Sequence, residues 1–423
     1  MDRIIITGRR PLRGTVRISG AKNAALPILA STILGGGECV LSNLPQVVDV
    51  VTMGKLLGML GISVSREDEH TVVRADSVKS TQAPYDLVRT MRASVLVLGP
   101  LLARCGEAVV SLPGGCAIGS RPVDLHLTAL AKLGADIEIE HGYIRAKASR
   151  LRGDRVYFDT PTVTGTENVM MAACLAEGTT VIENAAKEPE ICDLAEFLTK
   201  RGARINGAGS DCMVIDGVSA LHGADHEVIP DRIEAGTYLI AGAITGGDVE
   251  VHRCRPGHLE ALLVKLRESG AQIEEGKETI RLHAPNRLKG INVRTCPHPG
   301  FPTDMQAQFV ALMAVAEGTS VITETVFESR FMHVEELRRM GADIRVEGHR
   351  AMVTGKEQLA GAPVMASDLR ASAGLILAGL AAEGMTEVSR VYHLDRGYER
   401  LEEKLQGIGA IIERKKEQPG GPL

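Results

Sequence analysis

One spacing governs what this chain can fold into. A glycine followed by a strand-like apolar run recurs at Gly61, Gly134, Gly202, Gly270, Gly341 and Gly409, at intervals of 73, 68, 68, 71 and 68 residues. A second series, Gly106, Gly178, Gly247, Gly318 and Gly384, opens short β-branched runs such as Thr179-Thr180-Val181-Ile182. Self-similarity at a fixed period marks a repeated supersecondary unit, so the chain reads as six copies of one α/β unit. Within a copy the pattern predicts helix, strand, helix and hairpin. The fifth copy gives 306–316, 319–323, 334–340, then 343–346 with 352–354. The glycine after each second helix supplies the left-handed C-cap.

At 423 residues the chain exceeds one ordinary core. Six units therefore predict two domains of three, each unit burying an apolar face against its neighbours. The segment 221–230, with Gly223 and Pro230, is the expected crossing between halves. A hydrophobic share of 44% and a charged share of 24% are those of a soluble globular protein. The net charge of −5 gives no basic field for nucleic acid or a membrane surface. Met1 to Thr7 reads as a short strand rather than a signal peptide, and no apolar run is long enough to span a bilayer. Eight cysteines lie scattered without Cys-x-x-Cys spacing. They predict reduced thiols in a cytoplasmic protein, most of them buried like Cys174.

The first helix of each unit starts on a polar cluster: Lys22-Asn23, Arg92, Asn168, Asp231-Arg232, Asp304 and Asp368-Arg370. Capping explains part of it, since Thr303-x-x-Gln306 and Asp231-x-x-Glu234 read as capping boxes. It does not explain Lys22, Arg92, Arg232 and Arg370, because a cation at a helix N-terminus is unfavourable alone. A single such cation is usually a solvated surface charge. Four at equivalent positions point to a bound anion, and so to a phosphorylated substrate.

The run Pro113-Gly114-Gly115-Cys116-Ala117-Ile118-Gly119-Ser120-Arg121 predicts a mobile loop with a thiol at its centre and a guanidinium at its end. That setting lowers a thiol pKa and favours reactivity. Phosphate-loop, nucleophile-elbow and His-Glu-x-x-His motifs are absent. Cys296-Pro297-His298 is too small a set for a metal site.

Several long runs, in order, resemble the UDP-N-acetylglucosamine enolpyruvyl transferase family. They are residues 18–27 (Ile-Ser-Gly-Ala-Lys-Asn-Ala-Ala-Leu-Pro), 91–94, the Cys116 loop through His126, 301–308, 327–333, 368–372 and 395–400. The resemblance implies a two-domain inside-out α/β barrel of six βαβαββ-like repeats. One domain spans 22–229 and carries the Cys116 loop. The other joins 1–21 to 230–423, with the active site in the cleft. It implies transfer of the enolpyruvyl group of phosphoenolpyruvate to the 3′-hydroxyl of UDP-N-acetylglucosamine, the first committed step of peptidoglycan synthesis.

By the same resemblance Cys116 is the acid, the site of a phosphoenolpyruvate adduct and the target of fosfomycin, and Asp304 is the general base. Lys22, Arg121 and Arg396 clamp phosphate and carboxylate, with Asn23, Arg92 and Arg370 beside them. The nucleotide sugar is expected on Asn23, Arg92, Arg121, Pro122, Val123, Asp124, Leu125, Thr162, Val163, Asp304 and Val326. No metal or cofactor is implied, and a monomer is expected. Two alternatives stand beside this reading: 3-phosphoshikimate 1-carboxyvinyltransferase, which lacks the Pro-Gly-Gly-Cys loop, and a non-catalytic nucleotide-binding repeat protein.

Overall fold

The computed structural model describes residues 2–112 and 123–416. They fall into two compact units: a terminal unit of residues 2–19 with 230–416, and a mid-chain unit of residues 20–112 with 123–229. Each unit contains three four-stranded sheets. The six repeat glycines end their second helices with φ between +89° and +106°, a conformation that costs glycine least.

The fifth copy shows the plan. Strand Val293–Arg294 runs parallel to Thr319–Thr323, which pairs antiparallel with Arg350–Thr354, and that strand pairs with Asp343–Glu347. Helix Gln306–Met313 precedes the second strand, and Val334–Arg339 precedes the hairpin. The short parallel strand carries no periodic signal at two residues, and the sequence reading of a single copy lacks it. With it the repeat is βαβαββ.

The chain does not use its copies strictly in order. The strand Arg3–Thr7 lies between Met385–Ser389 and Ile411–Lys415 and completes the sixth sheet, with Ile4 opposite Val388 and Arg414. Arg13–Arg17 runs parallel to Asp248–His252 and completes the fourth. The terminal unit therefore needs both ends of the chain.

Burial places helices inside and sheets outside. In helix Arg232–Ile244 every residue from Ile233 onward is buried, and all of Gln306–Met313 is buried. Leu369–Ala381 is buried from Arg370 to Leu380. A helix apolar on all sides has to lie in a core. Lys22–Ser31 and Val163–Ala173 repeat this arrangement in the mid-chain unit. No described helix is long and apolar enough to cross a membrane.

Two local expectations need correction. Thr303 does not cap the following helix. It begins a 3-10 turn, Thr303–Met305, and its hydroxyl donates to Glu324 instead, while the Gln306 amide is buried without a hydrogen-bond partner among the described residues. The cysteines are less buried than expected. Cys39, Cys174 and Cys254 are buried, but Cys105, Cys192 and Cys212 are exposed. They sit at a helix end, on a helix and at a strand start, where one face of the element meets solvent.

Candidate active site

In the terminal unit the expected general base and one expected cation meet. Asp304 stands in the turn before helix Gln306–Met313, its side chain 27% exposed. Arg370, in the first turn of Leu369–Ala381, donates to Asp304 Oδ2 at 2.9 Å. Arg330 donates to Oδ1 at 3.0 Å. Both arginine side chains are 4% exposed, so one carboxylate faces two buried cations. The cluster has an excess of positive charge and is suited to an anion.

Burial alone would lower the Arg370 pKa, but Asp304 beside it raises it. The guanidinium lies over the Tyr398 ring, 5.5 Å from its centroid, and its Nη1 finds no hydrogen-bond acceptor among the described residues. A buried donor left unpaired is costly, and an anionic oxygen would satisfy it. The Tyr398 hydroxyl bonds to Thr237 Oγ1 at 2.9 Å and accepts from Gln308 Nε2 at 3.1 Å. Gln308 also donates to the Asp304 carbonyl at 3.0 Å. The helices carrying Thr237, Gln308 and Arg370 are thus tied together under the carboxylate.

Arg396 ends the 3-10 turn Val391–Arg396 and is half-buried. Its neighbour Asp395 is fixed by Arg414 at 2.6 and 3.0 Å, which sets the turn. Val326 exposes its side chain while its N–H donates to Glu324 at 2.7 Å.

In the mid-chain unit Lys22 opens helix Lys22–Ser31, with no acid in the first turn and no side-chain cap. Its Nζ lies 3.7 Å from the buried Asp49 carboxylate. Asn23 follows it, half-buried. Arg92 begins the 3-10 helix Arg92–Val97. Thr162 caps Val163–Ala173 by accepting from the Gly165 N–H at 3.2 Å, and Thr162 and Val163 are partly exposed. Val123 is buried, Leu125 half-buried and Asp124 exposed at the start of Asp124–Lys132. Cys116, Arg121 and Pro122 lie outside the described residues.

A neutral network joins the last three of these elements, starting at Arg92, Val163 and Asp124. Asn168 Oδ1 accepts from the Gly99 N–H at 2.7 Å, and its Nδ2 donates to Val95 O at 2.9 Å. Asn168 Nδ2 also lies 3.1 Å from His126 Nδ1, and His126 Nε2 lies 3.2 Å from Thr164 Oγ1. Since Asn168 can only donate there, Nδ1 accepts and Nε2 carries the proton, an assignment made from the network. Burial first, then the Arg92 charge, lowers the His126 pKa to about 4, so the ring is neutral. Gly99 is required: a Cβ there would meet Asn168 O and Oδ1 at 2.4 Å.

Arg330, His126, Gln308 and Asp49 escape a reading by helix starts alone. Arg330, His126 and Gln308 do stand inside the runs that carried the family resemblance.

With this geometry in place, comparison with known proteins settles the class. A family model described as EPSP synthase (3-phosphoshikimate 1-carboxyvinyltransferase) matches residues 6–405. The chain belongs to this family of enolpyruvyl transferases. It is 58% identical, over 99% of its own length and 100% of the relative's, to a UDP-N-acetylglucosamine 1-carboxyvinyltransferase of Geobacter metallireducens. The crystal structure of the enolpyruvyl transferase NikO from Streptomyces tendae superposes with a TM-score of 0.88 at 26% identity, covering 98% of each chain. EPSP synthase from Acinetobacter baumannii shares the fold, with a TM-score of 0.75 at 18% identity over 98% of this chain and 100% of that one.

Proposed function

We propose that this chain transfers the enolpyruvyl group of phosphoenolpyruvate to the 3′-hydroxyl of UDP-N-acetylglucosamine and releases phosphate, opening peptidoglycan synthesis. The observation that carries the reading is the 58% identity over essentially the whole of both chains. The Asp304–Arg330–Arg370 cluster gives it a chemical footing.

The sugar oxygen bonds to C2 of phosphoenolpyruvate while a proton is delivered to its C3 methylene, forming a tetrahedral adduct that still bears phosphate. Loss of a proton from C3 and of phosphate from C2 restores the double bond. Asp304 takes the hydroxyl proton, the task of a positioned carboxylate. Arg330 and Arg370 hold anionic oxygens, with Lys22, Arg92, Arg121 and Arg396 adding fixed positive charge that stabilises the adduct. Asn23, Pro122, Val123, Asp124, Leu125, Thr162, Val163 and Val326 hold the nucleotide sugar. Cys116 supplies the proton to C3. No cofactor is needed, since the substrate carries its own leaving group. The monomeric state and cytoplasmic location expected from the sequence belong to this reading.

Phosphate release with each of two acceptors tests it. Release is expected with UDP-N-acetylglucosamine and not with shikimate 3-phosphate. The reverse would make the chain the shikimate enzyme, and silence with both would leave a nucleotide-binding repeat protein. Fosfomycin is expected to alkylate Cys116 ahead of Cys105 and Cys192, whose thiol pKa values are raised by partial burial of the sulfur although the residues reach solvent. Peptide mass analysis reads the site, and equal labelling at Cys105 would remove Cys116 from its role.

A further inference from the structure

Glu324 has no reacting role in the proposed site, yet the residue is 1% exposed and its carboxylate accepts from four donors. Oε1 takes the Thr295 hydroxyl at 2.9 Å and the N–H groups of Val326 and Phe327 at 2.7 and 3.2 Å. Oε2 takes the Thr303 hydroxyl at 2.9 Å. Three of these donors have fixed direction. Two are backbone amides, and Thr295 Oγ1 already accepts from the Thr325 N–H at 2.9 Å, so its own hydrogen points to Glu324.

The contacts close a ring around the proposed base. On one side Glu324 grips Thr303, the residue bonded to Asp304. On the other it fixes the Phe327 backbone, whose ring lies under the Arg330 guanidinium at 5.2 Å. Arg330 in turn donates to Asp304 Oδ1. We propose that Glu324 is a positioning residue for the Asp304 carboxylate, acting through Thr303 on one side and through Phe327 and Arg330 on the other. This rests on Asp304 being the base. The function of the ring is orientation: a misplaced reacting group costs rate out of proportion to the bonds lost. It also explains why Thr303 does not cap its helix, since its hydroxyl has a partner that serves the neighbouring residue better.

Thr303→Val is close in shape and removes only the hydroxyl. In steady-state phosphate release it is expected to lower kcat by about 10- to 100-fold, with KM for the sugar nucleotide within about 2-fold, because the Val326 arm of Glu324 is untouched. Thr303→Ser keeps a hydroxyl and is expected to recover kcat to within about 3-fold of the parent. A residue acting through Asp304 should lose its effect once Asp304 is disabled. Thr303→Val placed on Asp304→Asn should therefore reduce the residual rate no further.

Phe327→Leu reaches Asp304 from the opposite arm and should show the same dependence, so one variant remains informative if the other is poorly folded. Unchanged kcat in folded Thr303→Val, or an undiminished loss on the Asp304→Asn background, would overturn the proposal. The ratios are read with whichever acceptor turns over, so failure of the acceptor assignment is distinguishable from failure of the ring.

Discussion

The first helices of the two units occupy the same place in the repeat, yet they begin with different charge. In the terminal unit an acid stands at all three starts: Asp231, Asp304 and Asp368. In the mid-chain unit none of the three has an acid in its first turn, and two begin with Lys22 and Arg92. A carboxylate offsets the partial positive charge of a helix N-terminus, whereas a cation adds to it. The mid-chain starts are therefore biased toward anions.

Among the acids one differs again. Asp231 accepts from the N–H groups of Ile233 and Glu234 at 2.7 and 3.0 Å, and Asp368 accepts from those of Arg370 and Ala371 at 2.9 and 3.1 Å. Asp304 is not the N-cap of the turn or of the helix that follows it, and its oxygens face Arg330 and Arg370. Two acids serve the fold, and the third is the one that the proposed reaction uses as its base.

That contrast can be broken by paired substitutions. Asp304→Asn is expected to lower kcat by about 10²- to 10⁴-fold while UDP-N-acetylglucosamine still binds. Asp231→Asn should stay within a few-fold, since Asn caps as well as Asp. Equal losses in phosphate release would erase the distinction. Next in size comes the mid-chain network. Asn168→Ala strands the Gly99 N–H, the Val95 carbonyl and His126. It should cost about 2–4 kcal/mol in urea unfolding, as buried unpaired groups do. A loss below about 1 kcal/mol would mean that this half does not depend on neutral hydrogen bonds.

The same network has a pH signature. The folded His126 pKa of about 4 lies below the usual 6.5 because of burial and then Arg92. Between those values the unfolded chain binds a proton that the folded chain refuses. The contribution is present above pH 6.5 and is lost as pH falls toward 4, on the order of 3 kcal/mol. His333 in the terminal unit is lowered to about 4 as well, by burial, so the test is a difference. The gap in stability between pH 7 and pH 5 should narrow in His126→Gln relative to the parent. An unchanged gap would show that the ring titrates normally.

The glycine series made the six copies legible, because a helix C-cap and its left-handed residue are local chemistry. The cations at helix starts were legible for the same reason, since their sign conflicts with the dipole. The closure of the sixth sheet by Arg3–Thr7 was not legible in local pattern, because it joins positions almost a full chain apart, and only the family resemblance joined 1–21 to the C-terminal half. Thr303 was misread because Thr-x-x-Gln is a valid local cap, and only the fold brings Glu324 to its hydroxyl. Arg330 carries no positional mark, lying outside any first helix, and its role is visible only once Asp304 is beside it.

The smallest expected effect separates the two ways in which the terminal unit supports Arg370. Tyr398 offers a ring beneath the guanidinium and a hydroxyl to Thr237 and Gln308. Tyr398→Phe keeps the ring and removes the hydroxyl. Gln308 Nε2 retains the Asp304 carbonyl as acceptor, so about 1 kcal/mol of stability should be lost. kcat should fall by no more than about 5-fold, because about 1 kcal/mol on the barrier is worth no more than that unless the carboxylate itself moves. Tyr398→Leu removes the ring as well and should lower kcat further. If Tyr398→Phe alone lowered kcat by more than 10-fold, the charged cluster would depend on the hydrogen-bonded network beneath it, and the contrast with the mid-chain unit would narrow to the ion pairs alone.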